Sequence, residues 1–261
     1  MRMSVVDAFT GTPFAGNPAG VVLLDAPAET AWMQSVAAEL RHSETAFVEV
    51  FGEHPNSPKS LRWFTPTVEV DLCGHATLAA GHVLDGEQVF TTRSGELRTR
   101  AEGGWVSMDL PNDPPRASGD DVLDGLPGVT VASVARGKWD ILVEVTDAAQ
   151  VRGLKPDLDV IAGWDARCVI VTAPGDRGEI DFVSRVFAPA VGVPEDPVTG
   201  SAHCLLAPFW AGKLGRGELV GEQASERGGT VRVLLRGDRV TLSGQAVTVI
   251  SGELHTSCAS S

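Results

Sequence analysis

The sequence predicts an α+β protein of two similar, pseudo-symmetric α/β halves, each a β-sheet wrapped around a central helix. Three observations lead there. The segment RWFTPTVEVDLCGHATLAAGHVL, from Arg62 to Leu84, recurs as RVFAPAVGVPEDPVTGSAHCLLAPFW, from Arg185 to Trp210. Arg62, Phe64, Pro66, Val68 and Val70 line up with Arg185, Phe187, Pro189, Val191 and Val193 at a constant offset of 123. After a three-residue insertion Gly74 meets Gly200 and Ala76 meets Ala202, which marks a duplication. Each copy then carries a run, Ala76 to Leu84 or Ala202 to Trp210, that is apolar nearly all round; such a helix is buried on every side. Finally, Pro111-Asn112-Asp113-Pro114-Pro115 lies between the copies and reads as a linker. The halves are expected at 1–113, completed by 246–261, and at 114–245.

The elements follow in order from periodicity. Val5 to Phe9 and Gly20 to Leu24 read as strands. Glu29 to Leu40 reads as a helix, with Trp32, Met33, Val36, Ala37 and Leu40 at helical spacing. Thr45 to Val50 is strand-like, and Val89 to Asp109 carries two or three strands turned at Gly95 and at Gly103-Gly104. Beyond the linker, Trp139 to Val145 and Cys168 to Thr172 read as strands. Val231 to Leu235 and Arg239 to Ser243 form a hairpin around Gly237-Asp238, and Val247 to Ser251 is a further short strand.

Composition narrows the function. The 261 residues include 21 Lys plus Arg against 34 Asp plus Glu, a net charge of −13. That balance repels phosphate backbones and anionic membranes, so neither nucleic acid nor a membrane is an expected partner. No apolar run approaches the roughly 18 residues of a membrane span, and residues 1–7 show no secretion signal. Cys73, Cys168, Cys204 and Cys258 form no CxxC pair and no dense framework, as expected of reduced cytoplasmic thiols. Cys73-Gly74-His75 and His203-Cys204 lack the spacing of a structural zinc site, so no metal is expected. No phosphate-binding glycine loop is present and no cofactor is expected. Tyrosine is absent, which leaves carboxylates, histidine and a thiol as proton carriers.

Candidate site residues cluster at the repeats. Before each buried helix an acidic residue (Asp71; Glu195-Asp196) precedes a short loop and a glycine, Gly74 or Gly200. The free N–H groups and dipole of a helix N-terminus suit a carboxylate, and glycine lets the ligand approach the backbone. Glu44 sits beside an apolar strand, where a carboxylate that becomes buried rises in pKa and can take a proton from carbon; on composition alone it reads rather as a surface residue beside Ser43. His75 and Ser201 stand at matching positions after the glycines, where they could simply satisfy or cap the helix ends. Asp196 before Pro197 is a common turn arrangement. His42, His82, His203 and His255 have no motif support and read as structural or surface residues.

Four blocks, VDAFTGTPFAGNPAGVVLL (6–24), HSETAFV (42–48), DLCGHATLAAG (71–81) and PEDPVTGSAHCLLAPFW (194–210), resemble the PhzF family of phenazine-biosynthesis-type isomerases with the diaminopimelate epimerase fold. The resemblance runs over nearly the whole chain. It implies an active site in the cleft between the halves and a cofactor-independent isomerisation. Glu44 would be the proton shuttle, with His75 and Asp196 assisting catalysis and orienting the substrate, and Cys73, Gly74, Gly200 and Ser201 binding it. A small carboxylated substrate, antibiotic or other secondary metabolism and a homodimer are further implications. Two-base epimerases of this fold place a cysteine before the glycine in each half. Here Cys73 fills the first position but Thr199 the second, and a hydroxyl is too weak an acid to replace a thiol. Cys73 therefore reads either as a bystander or as a second proton carrier. The alternatives to the isomerase are an amino-acid racemase using Glu44 and Cys73, or a binding paralogue without catalysis.

Overall fold

The computed structural model describes residues 1–51 and 57–256. Cys258 lies outside them. They divide into two compact units, one drawn from 1–109 and 243–256 and the other from 110–242.

The first unit contains β1 (Arg2–Ala8), β2 (Asn17–Leu24), α1 (Thr30–Leu40), β3 (Glu44–Glu49), β4 (Lys59–Phe64) and β5 (Glu69–Val70). There follow α2 (Gly74–Leu84), β6 (Glu87–Thr92), β7 (Gly95–Glu102) and β8 (Trp105–Pro111). The second begins with β9 (Arg116–Ala117), β10 (Val131–Arg136), β11 (Ile141–Val145), α3 (Ala148–Gly153), α4 (Leu158–Ala162), β12 (Val169–Pro174) and β13 (Phe182–Ala188). It continues through β14 (Val193–Asp196), α5 (Gly200–Leu214), β15 (Glu218–Gln223) and β16 (Gly229–Arg236). The long last strand, β17 (Arg239–Glu253), starts in the second unit and ends in the first.

In the first unit the strands form a closed ring. β1 pairs with β2, β2 with β3, β3 with β4, β4 with β6, β6 with β7, β7 with β8, β8 with β17, and β17 returns to β1. Closure removes the sheet edges. The ring surrounds α2, which packs on β1, β2, β3, β6 and β7. His75 to Gly81 of that helix are all buried. Its composition explains the fit, because alanine and glycine let the strands come close. A Cβ on Gly81 would stand 2.7 Å from Thr99 Oγ1 of β7. On the outside, α1 buries Met33, Val36 and Ala37 against a cluster that includes Val22, Leu24, Phe47 and Phe64.

The second unit repeats the device with α5, which packs on β15 and β16 and buries Ala202 to Ala207 and Trp210. Pro208 lies inside this helix. β11 and β12 run parallel, and β13 joins antiparallel β12 to parallel β15. Val143, Val145, Val151, Val169, Val171 and Phe187 belong to one buried core. The fold is α+β and rich in sheet, each unit built on one buried helix.

Two sequence readings are corrected here. Trp139 is not in a strand. It stands 60% exposed ahead of β11, with Lys138 Nζ 4.9 Å from its ring centroid. Val247 to Ser251 is no separate strand but the end of β17, because Gly244 lies inside the strand instead of breaking it. Both buried helices begin at Gly74 and Gly200, where the sequence places their N-termini. Among the described residues no helix is long and apolar enough to cross a membrane.

Candidate active site

The first unit gathers Ser43, Glu44, Cys73 and His75. Glu44 opens β3, whose next four residues are buried, so its carboxylate is held at the mouth of an apolar strand. Cys73 is the N-cap of α2, and His75 lies in that helix's first turn. Glu44 Oε2 lies 3.5 Å from His75 Nε2, with side-chain exposures of 20% and 5%. Ser43 Oγ is 3.3 Å from the same nitrogen and donates to Asn17 Oδ1 at 3.3 Å. On the other side of the ring, Cys73 Sγ is 3.4 Å from Nδ1.

Burial, and to a smaller degree the charge of His42, takes the His75 pKa down from 6.5 to about 3. The imidazole is therefore neutral at ordinary pH, and its 3.5 Å contact with Glu44 is not an ion pair. A neutral imidazole carries one N–H and one lone pair. It can then steer a carboxylate without neutralising it. His42, expected to have no role, is close enough to bias this ring.

Carboxylate, thiol and imidazole are also donors a zinc ion accepts, and one atom of each lies within 4.8 Å of the others. The ring, however, turns one nitrogen to each neighbour. One ion could take only one of those nitrogens, so this arrangement suits proton transfer better than coordination.

The second unit places Asp196 at the end of β14 and Thr199 at the N-cap of α5. Thr199 Oγ1 donates a very short hydrogen bond to Asp196 Oδ2. Gln223, fully buried, braces the loop between them. Its Oε1 accepts from the Thr199 N–H at 2.9 Å and its Nε2 donates to the Asp196 carbonyl at 2.7 Å. Gly200 is buried at the helix start. Beside it Ser201 Oγ accepts from Arg167 Nη2 at 3.2 Å. Arg167 is in turn forked onto buried Asp140 by bonds of 2.9 and 2.6 Å. Sequence reading missed Gln223, Arg167 and Asp140. The one available signal for Gln223 was a polar residue at an inward position of an alternating strand.

Cys168 and Cys204 are buried thiols. Burial first, then neighbouring carboxylates, pushes Cys168 well above the usual thiol range and Cys204 up to about 12. Neither is a ready nucleophile. His203 donates through Nδ1–H to the Thr199 carbonyl at 2.9 Å inside the core. His82 lies 3.0 Å from Thr248 Oγ1 through Nε2.

The family pattern described as phenazine biosynthesis-like protein (PhzC-PhzF) matches residues 6–252. The chain belongs to the PhzC/PhzF family. A PhzF relative, an uncharacterized isomerase of Halalkalibacterium halodurans, is 46% identical, with 96% of this chain and 97% of that protein covered. A mouse relative, phenazine biosynthesis-like domain-containing protein 2, is 38% identical over 96% of this chain and 97% of its own. The crystal structure of a PhzF-family protein of Enterococcus faecalis superposes with a TM-score of 0.91 at 35% identity, covering 98% and 99% of the two chains. A probable proline racemase of Agrobacterium radiobacter shares the fold alone, with a TM-score of 0.61 at 10% identity over 98% and 93%. PhzF membership supports an isomerase- or epimerase-type enzyme.

Proposed function

We propose that this PhzF-family protein is a cofactor-independent isomerase of a small carboxylated substrate, with Glu44 as its general acid and base. The observation that carries the reading is the Glu44 carboxylate itself. It is reachable, partly desolvated and set against a neutral imidazole. Such a group removes a proton from a carbon made acidic by a neighbouring unsaturated or carboxylate group. It then returns the proton to another carbon of the same allylic system and shifts the double bond. His75 holds Glu44 in position, and Ser43 contacts the same ring nitrogen. By the family resemblance Asp196 assists proton transfer, while Cys73, Gly74, Gly200 and Ser201 contact the substrate. A place in antibiotic or other secondary-metabolite biosynthesis, as a homodimer in the cytoplasm, completes the proposal; the free buried thiols agree with a reducing compartment.

The test is exchange in D2O. Small cyclic amino acids and unsaturated amino-carboxylates are incubated with the protein and followed by proton NMR. Deuterium uptake with a shifted double bond, lost in Glu44→Gln, is the expected result. Undiminished turnover by Glu44→Gln on the same substrate would overturn the assignment, and binding without exchange across the series would favour a non-catalytic paralogue.

A second reading has one observation behind it, the thiol of Cys73 on the far side of the ring that Glu44 touches. In that reading the two act as opposed bases of an amino-acid racemase. Exchange at an α-carbon with inversion, lost in Cys73→Ser, distinguishes it.

A further inference from the structure

His75 stands between two groups that can each hold a proton. Its Nδ1 faces Cys73 Sγ at 3.4 Å and its Nε2 faces Glu44 Oε2 at 3.5 Å. All three sit where the N-terminus of α2 meets the head of β3. The order thiol, imidazole, carboxylate is that of an activated nucleophile with its base and its orienting acid. We propose that Cys73 is a second proton carrier, coupled to Glu44 by a tautomer switch of His75. This rests on the reading of Glu44 as the base.

The transfer balances without any further reagent. The Cys73 S–H bond breaks as its proton passes to Nδ1, and the Nε2–H bond breaks as that proton passes to the Glu44 carboxylate. The products are a thiolate, the other neutral tautomer of His75 and a carboxylic acid; the reverse step restores the start. No imidazolium forms at any point, in keeping with a ring buried too deeply to hold a charge. A thiol only 6% exposed therefore supplies, through His75 and away from solvent, a proton that Glu44 can deliver to substrate.

Reactivity of the thiol tests the coupling without a substrate. The full chain is treated with methyl methanethiosulfonate, a small neutral reagent, and modification of each cysteine is followed by mass spectrometry. Sulfur attack expels methanesulfinate and forms a mixed disulfide while the thiol proton moves through His75 to Glu44. Cys73 is expected to react about tenfold or more faster than Cys168 and Cys204. Glu44→Gln, which keeps shape and removes the acceptor, is expected to slow Cys73 about tenfold. A merely structural carboxylate predicts the opposite sign, because deleting a negative charge beside a thiol favours thiolate. His75→Asn should also slow Cys73, and circular dichroism checks that each variant is folded. An unreactive wild-type Cys73, or an equal or faster rate in Glu44→Gln, overturns the proposal. The isomerase reading fails separately, in the exchange assay.

Discussion

Ser43 and Arg167 occupy equivalent places in the two units. Thr45 pairs with Phe64 and Val169 pairs with Phe187, and the two phenylalanines are repeat partners. Counting back, Glu44 corresponds to Cys168 and Ser43 to Arg167. The contact survives while its chemistry changes. Ser43 reaches His75 at 3.3 Å, and Arg167 reaches Ser201, the counterpart of His75, at 3.2 Å. The first unit thus presents a carboxylate, a serine hydroxyl and a neutral imidazole where the second presents an inert thiol, a guanidinium and a serine hydroxyl.

Arg167→Met tests the structural share of that change. It would leave Asp140, 3% exposed, without its cation. An unpaired buried charge costs several kcal/mol, but this guanidinium is 40% exposed, so the expected loss is about 2 kcal/mol. Urea denaturation measures it. Asp140→Asn together with Arg167→Met should recover part of the loss.

Acid should weaken the fold through two histidines. Burial takes His75 to about 3 and His203 to about 4, from 6.5. Above the unfolded value neither state binds the proton. Below it the unfolded chain takes up protons that the folded chain refuses, and stability falls until pH reaches the folded values. Near pH 5 each histidine should account for about 2 kcal/mol of lost stability. Unfolding at several pH values checks the slope, which should lose one proton in His203→Gln.

Gln223→Leu should be costly for a residue far from any motif. It removes the partners of the Thr199 N–H and the Asp196 carbonyl together. The expected destabilisation is about 2 kcal/mol, read as a lower Tm. In the exchange assay it should also reduce turnover, with Gln223→Glu recovering less than wild type because the lost amide N–H was the donor to Asp196.

Gly244→Ala should also destabilise. Its Cβ would lie 2.4 Å from Phe9 Cδ1 and 3.1 Å from Leu78 Cδ1. Phe9 is fully buried with φ of 63° and has little room to yield. Overpacking of this kind costs about 1–3 kcal/mol, measurable by thermal unfolding.

The repeat was legible because its residues do the same physical work twice. Arg62 binds Glu69 and lies over Phe64, and Arg185 binds Glu195 and lies over Phe187. The buried helices were legible from composition, since alanine-rich apolar runs have no solvent face. What escaped were contacts between distant segments. Nothing near Arg167 in sequence signals Asp140 and Ser201, and Gly244 looks like a break until Phe9 is seen against it. The bridging of His75 between Cys73 and Glu44 was equally invisible, because it depends on how α2 is threaded past β3.

The long strand β17 also sets an order of events. Residues 110–242 are continuous in the chain, whereas 1–109 need 243–253 to close their ring. On a ribosome the part that emerges first is therefore completed last. Until then β1 and β8 each lack their β17 neighbour, and open strand edges recruit other chains. The half that carries Glu44 is the one left exposed to misassembly during synthesis.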